Sequence, residues 1–113
     1  MTAATGARLW YAQRVSAMVL AVCVLAHLVL IVYATRQGLT APALLARTRG
    51  NAGLAAFYGV FVVACAIHAP IGLRTVAAEW LRWRGRAADV VWIAVALAVL
   101  AAGARAVYAV TAP

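Results

Sequence analysis

Three stretches of this chain, residues 15–35, 52–73 and 90–110, carry no charged side chain except Arg105 near the far end of the third. Each is about 20 residues long, and at 1.5 Å of rise per residue each would cover the ~30 Å hydrocarbon core of a bilayer as a helix. The expected fold is therefore all-α, a single membrane domain over residues 1–113 made of three transmembrane helices. Arg105 can snorkel to the membrane surface from its position near a helix end. The first stretch is too long and too often interrupted by polar residues for a cleaved signal peptide, so it is expected to persist as a helix.

Composition excludes the main soluble classes. Of 113 residues, 68% are apolar and only 11% charged, against roughly half and a quarter in an ordinary soluble domain. All ten basic residues are arginines, opposed only by Glu79 and Asp89. A net charge of +8 could mark a nucleic-acid binder, but such proteins gather their arginines on one water-facing patch. Here they sit in short segments between apolar runs, as charges flanking membrane spans do. No nucleic-acid partner is expected; the lipid bilayer is. Cys23 and Cys65 lie inside apolar runs without a C-x-x-C-H site, which excludes covalent haem attachment and makes a disulfide framework unexpected.

The connecting segments set the topology. Residues 36–51 read as a short loop with an interfacial turn of helix near 43–46, and residues 74–89 mix Trp and Arg as a headgroup-level segment does. Arg8, Arg14, Arg74, Arg82, Arg84 and Arg86 fall at one end of the expected bundle, and Arg36, Arg47, Arg49 and Arg105 at the other. That excess puts the amino terminus in the cytoplasm.

Two histidines lie within the spans. Gln13, Ser16, Leu20, Cys23 and His27 recur at intervals of three and four, as do Tyr58, Phe61, Cys65, His68 and Gly72. Each set shares one helix face, more polar than the lipid-facing residues around it. The third span has small residues at Ala94, Ala98, Ala102 and Ala106, a spacing that permits close approach of a neighbouring helix. A histidine within a span is costly unless paired, and marks function by default. A neutral imidazole bonded to a carbonyl or a serine would satisfy the position without a cofactor. Two such residues, each on an inward stripe, favour ligation of a buried one. Neutral imidazole is a good axial ligand of haem iron, whereas zinc would need more than two histidines. Ala64 and Gly72, one turn either side of His68, leave room for a porphyrin, although small residues also serve plain helix packing. Pro70 removes a hydrogen bond to the Ala66 carbonyl and is expected to kink the helix.

Depth separates the two histidines. Counted from Arg14 and Arg74 at the same membrane face, His27 lies ~20 Å deep and His68 ~9 Å. One iron bridged by both would be strained. Either each contributes one ligand to a separate haem, or only one is a ligand, and the second nitrogen comes from another chain.

The segment Gln13-Arg14-Val15-Ser16-Ala17 resembles the H-R-x-S-G signature of the cytochrome b membrane-anchor subunit of succinate dehydrogenase and fumarate reductase. His68-Ala69-Pro70-Ile71-Gly72-Leu73-Arg74, followed by Glu79, resembles the same family's H-x-x-x-G-[IL]-R-x-x-x-x-D segment. Order, spacing and the three-helix plan agree over nearly the whole chain. Gln13, Ala17 and Glu79 depart from the motif histidine, glycine and aspartate. The resemblance implies that His68 is an axial ligand of haem b. It implies that Arg14 lines a quinone site near the cytoplasmic face, with Ser16 at the motif serine and Trp10 where a quinone-contacting serine stands in the family. His27 is similar to the helix-one histidine of two-haem members, which ligates the haem farther from the catalytic subunits. Arg74 would pair with a haem propionate or end the helix, beside Gly72.

The resemblance also implies the partners. A flavoprotein subunit oxidises succinate, an iron–sulfur subunit carries the electrons, and this anchor passes them to ubiquinone or menaquinone. One or two haems b would be shared with a second membrane anchor chain, a different subunit or another copy. The location implied is a bacterial inner membrane. The alternatives are a cytochrome b anchor of another quinone-linked dehydrogenase and a haem-free scaffold or assembly protein.

Overall fold

The computed structural model describes residues 3–113, which form four helices: α1 (Ala3–Gln37), α2 (Ala41–Thr48), α3 (Ala52–Trp80) and α4 (Arg86–Thr111). Three of them, α1, α3 and α4, are long and apolar enough to cross a membrane. Each expected span lies inside a longer helix. The 35 residues of α1 measure about 52 Å, well beyond a hydrocarbon core of about 30 Å. Its first turns (Ala3, Ala4, Ala7, Arg8) are good helix formers, so the helix continues past the membrane surface that hydropathy marks.

The middle helix is α3, with α1 packed on one side and α4 on the other. Both neighbours run antiparallel to it. Against α1, Gly72 meets Gln13, His68 meets Ser16 and Tyr58 meets His27. Against α4, Arg74 meets Asp89 and Val62 meets Gly103. Pro70 is buried and α3 runs unbroken through it. Large apolar side chains such as Val22, Leu25, Val29, Ile93 and Leu97 are more than half exposed. In water such surface would be a liability; in lipid it is ordinary contact with the solvent.

The alanine stripe of α4 faces away from α3 within this chain. Ala94, Ala98, Ala102 and Ala106 are all exposed, while Ala88, Trp92, Ala96, Val99, Gly103, Val107 and Thr111 turn inward. The close approach occurs at Gly103, where a β-carbon would lie 2.5 Å from Val62 Cγ1 and 2.7 Å from its Cγ2. A helix apolar on every side gives no contrast from which its buried face can be read.

The expected interfacial turn is α2. Thr40 caps it by accepting a hydrogen bond from the Ala43 N–H at 3.3 Å, and a proline lies in its first turn. Arg47 of α2 donates to the Gly38 carbonyl at 2.8 Å and stands 5.9 Å from the Tyr33 ring centroid. The Gly50 N–H donates to the Thr111 carbonyl at 2.8 Å, tying this loop to the end of α4. Gly50 sits at φ +69°, a conformation that glycine adopts without steric cost.

At the opposite end, Arg82 turns the chain at φ +54°, and the Trp83 N–H returns to the Ala77 carbonyl at 3.2 Å. This antiparallel arrangement gathers Arg8, Arg14, Arg74, Arg82, Arg84 and Arg86 at one end of the bundle.

Candidate functional site

The seam between α1 and α3 holds both histidines. His68 Nδ1 lies 3.4 Å from Ser16 Oγ, and Ser16 is buried at 5% exposure. The Ser16 hydroxyl also donates to the Gln13 carbonyl one turn earlier, at 3.1 Å. His27 Nδ1 lies 3.0 Å from the Tyr58 hydroxyl. Edge-to-face contacts with Tyr58 and Phe61, at centroid separations of 5.5 and 5.7 Å, fix the His27 ring.

These contacts also fix the depths. Ser16 and His27 are eleven residues apart on α1, and Tyr58 and His68 ten apart on α3, so the two imidazoles stand ~15 Å apart along the bundle. That exceeds the ~10 Å obtained by counting from the arginines. Arginine side chains reach the interface from a range of depths, so a count that starts from them is the looser measure. One iron cannot bridge the two rings within this chain.

Among the described residues neither Nε2 has a hydrogen-bond partner. Nor is either among the enclosed polar atoms that lack one, which are Gln13 Oε1 and Trp92 Nε1. Both histidines are half-buried, and neither Nε2 is fully enclosed. No three His, Cys, Asp or Glu side chains converge among the described residues, so a multidentate metal site is not built here. A haem would ask this chain for a single imidazole nitrogen, a demand that one histidine can meet.

The remaining expected residues separate. Trp10 and Arg14, one turn apart, are exposed, with the Arg14 guanidinium 5.2 Å from the Trp10 ring centroid. Ser16 points the other way, into the seam. The three residues assigned together to quinone thus divide between an outward pair and an inward hydroxyl. The space in front of Gly72 is taken by Gln13, whose Nε2 would lie 3.1 Å from a β-carbon there. Arg74 forms an ion pair with Asp89 at 2.9 Å, and Asp89, in the first turn of α4, also complements that helix's dipole.

Two hollows flank the seam. A groove of about 510 Å³ between α1 and α3 is lined by apolar residues such as Val15, Val19, Val63 and Ile67, with Ser16 at its edge. A larger hollow of about 1150 Å³ opens at the arginine-rich end, lined by Arg74, Glu79, Trp83, Asp89 and Trp92. Neither is lined by a histidine.

Tyr58 and Asp89 were not singled out by sequence reasoning as partners of His27 and Arg74. The antiparallel register carried the signal, because it sets Tyr58 beside His27 and Asp89 beside Arg74.

Residues 1–103 match the model of the succinate dehydrogenase/fumarate reductase transmembrane subunit family. The chain belongs to that family. As a succinate dehydrogenase/fumarate reductase transmembrane subunit, it is the membrane part of a multi-subunit complex, with partner subunits and a bilayer around it. No curated protein and no solved structure matches it significantly.

Proposed function

We propose that this chain is the haem b-binding anchor of a succinate:quinone oxidoreductase, receiving electrons from an iron–sulfur subunit and passing them to a membrane quinone. The observation that carries this reading is His68. It is held at the α1–α3 seam by Ser16, within the segment that resembles the family's histidine motif. His68 would hold the iron, and a second anchor chain would supply the opposite ligand. A bound haem would provide one-electron transfer between the iron–sulfur centre and the quinone.

The chain's own residues position these groups and do no chemistry on succinate. Arg14 lies at the same end of the bundle as His68, exposed and steadied by Trp10. Its guanidinium would supply hydrogen bonds and positive charge to the oxygen of a bound quinone. The arginine-rich end, which includes the amino terminus, faces the cytoplasm and the catalytic subunits. The membrane is a bacterial inner membrane.

Purification of the intact complex tests this reading. It should contain a flavoprotein and an iron–sulfur protein, reduce quinone with succinate, and show the α band of a b-type haem on dithionite reduction. A complex with all its subunits and no α band would refute the haem assignment.

A further inference from the structure

The two histidines make similar contacts at Nδ1, but the hydrogens involved are committed differently. A serine hydroxyl has one hydrogen to donate, and that of Ser16 goes to the Gln13 carbonyl at 3.1 Å. Toward His68 Nδ1, 3.4 Å away, Ser16 Oγ is left as an acceptor. That arrangement favours the His68 tautomer with its hydrogen on Nδ1, which leaves Nε2 a free lone pair. The Tyr58 hydroxyl is in the opposite position. Among the described residues its hydrogen-bond partner is His27 Nδ1, at 3.0 Å. An imidazole nitrogen is a far better acceptor than a phenol oxygen, and a phenol is the better donor, so the hydrogen lies on Tyr58. This favours the His27 tautomer that accepts at Nδ1 and carries its own hydrogen on Nε2.

We propose that Ser16 is a positioning residue that favours the iron-binding tautomer of His68, while Tyr58 favours the opposite tautomer of His27, so that His68 is the chain's axial ligand. A nitrogen that bears a hydrogen has no lone pair for a metal. The His27 Nε2–H is instead a donor presented to whatever packs against that face. Ser16 is buried at 5% exposure, which keeps water from competing for the His68 Nδ1–H. A hydrogen bond from the far nitrogen of a ligating histidine also raises its basicity, which favours ferric over ferrous iron. The inference rests on the haem reading above.

Haem content and midpoint potential of the purified complex test it. Ser16→Ala should weaken haem retention about ten-fold or more, the typical cost of losing such an outer partner, and move the potential of the remaining haem upward. Ser16→Thr should restore both. Tyr58→Phe and His27→Ala should keep the parent's haem-to-protein ratio and potential. A Ser16→Ala complex with the parent's haem retention and potential would overturn the inference, as would loss of haem from Tyr58→Phe or His27→Ala. Either result leaves the haem reading standing, whereas a parent complex without haem overturns both.

Discussion

Tyr58 closes over His27, with its hydroxyl 3.0 Å from Nδ1 and its ring meeting the imidazole edge-to-face at a 5.5 Å centroid distance. The pair joins α1 to α3 toward the α2 end of the bundle, away from the arginine-rich end. Replacing Tyr58→Phe keeps the ring contact and removes the hydroxyl from Nδ1. Polar contacts between helices in membranes are worth about 0.6 kcal/mol on average and up to about 1.7. A loss of stability in that range is expected in a reversible unfolding titration in mixed micelles.

Gly103 of α4 packs tightly against Val62 of α3. A methyl group there would meet both γ-carbons of Val62, a β-branched side chain with little rotamer freedom to yield. Gly103→Ala should cost about 1–3 kcal/mol through overpacking. Val62→Ala in the same chain should recover part of that loss. The thermal midpoints of the single and double variants measure it.

The Arg74–Asp89 pair bridges the end of α3 and the start of α4, with side-chain exposures of 27% and 48%. Pairs this open to solvent contribute about 0.2–1 kcal/mol, and salt screens them. A double-mutant cycle with Arg74→Ala and Asp89→Ala should give a coupling energy in that range, shrinking as ionic strength rises.

Arg14 faces outward and rests on Trp10, so its removal disturbs little packing within this chain. Arg14→Ala should lower succinate:quinone activity about ten-fold or more, a loss of the kind seen when a donor to a developing negative charge is removed. Electron transfer from succinate to a soluble dye should persist. Equal loss of both activities would make Arg14 a structural residue.

The α1–α3 seam was legible in the sequence because each helix carries polar residues on one stripe. Gln13, Ser16, Cys23 and His27 contrast with their lipid-facing neighbours, and the stripes they mark do meet. The packing of α4 was not legible, since its buried Ala88 and half-buried Ala96 look the same as its exposed Ala94 and Ala98. The helices run beyond the expected spans for a different reason. Hydropathy marks where lipid stops, whereas α1 and α3 continue through Arg8 and Glu79 into the interface. The Ser16–His68 contact needed the register between helices, which periodicity within each helix does not give.

The most direct test of the central claim is the reduced-minus-oxidised spectrum of the complex carrying His68→Ala, recorded per flavoprotein beside the parent. The account predicts that the α band of the b-type haem disappears while succinate-to-dye activity remains. A His68→Ala complex that keeps the parent's α band at full intensity would contradict it.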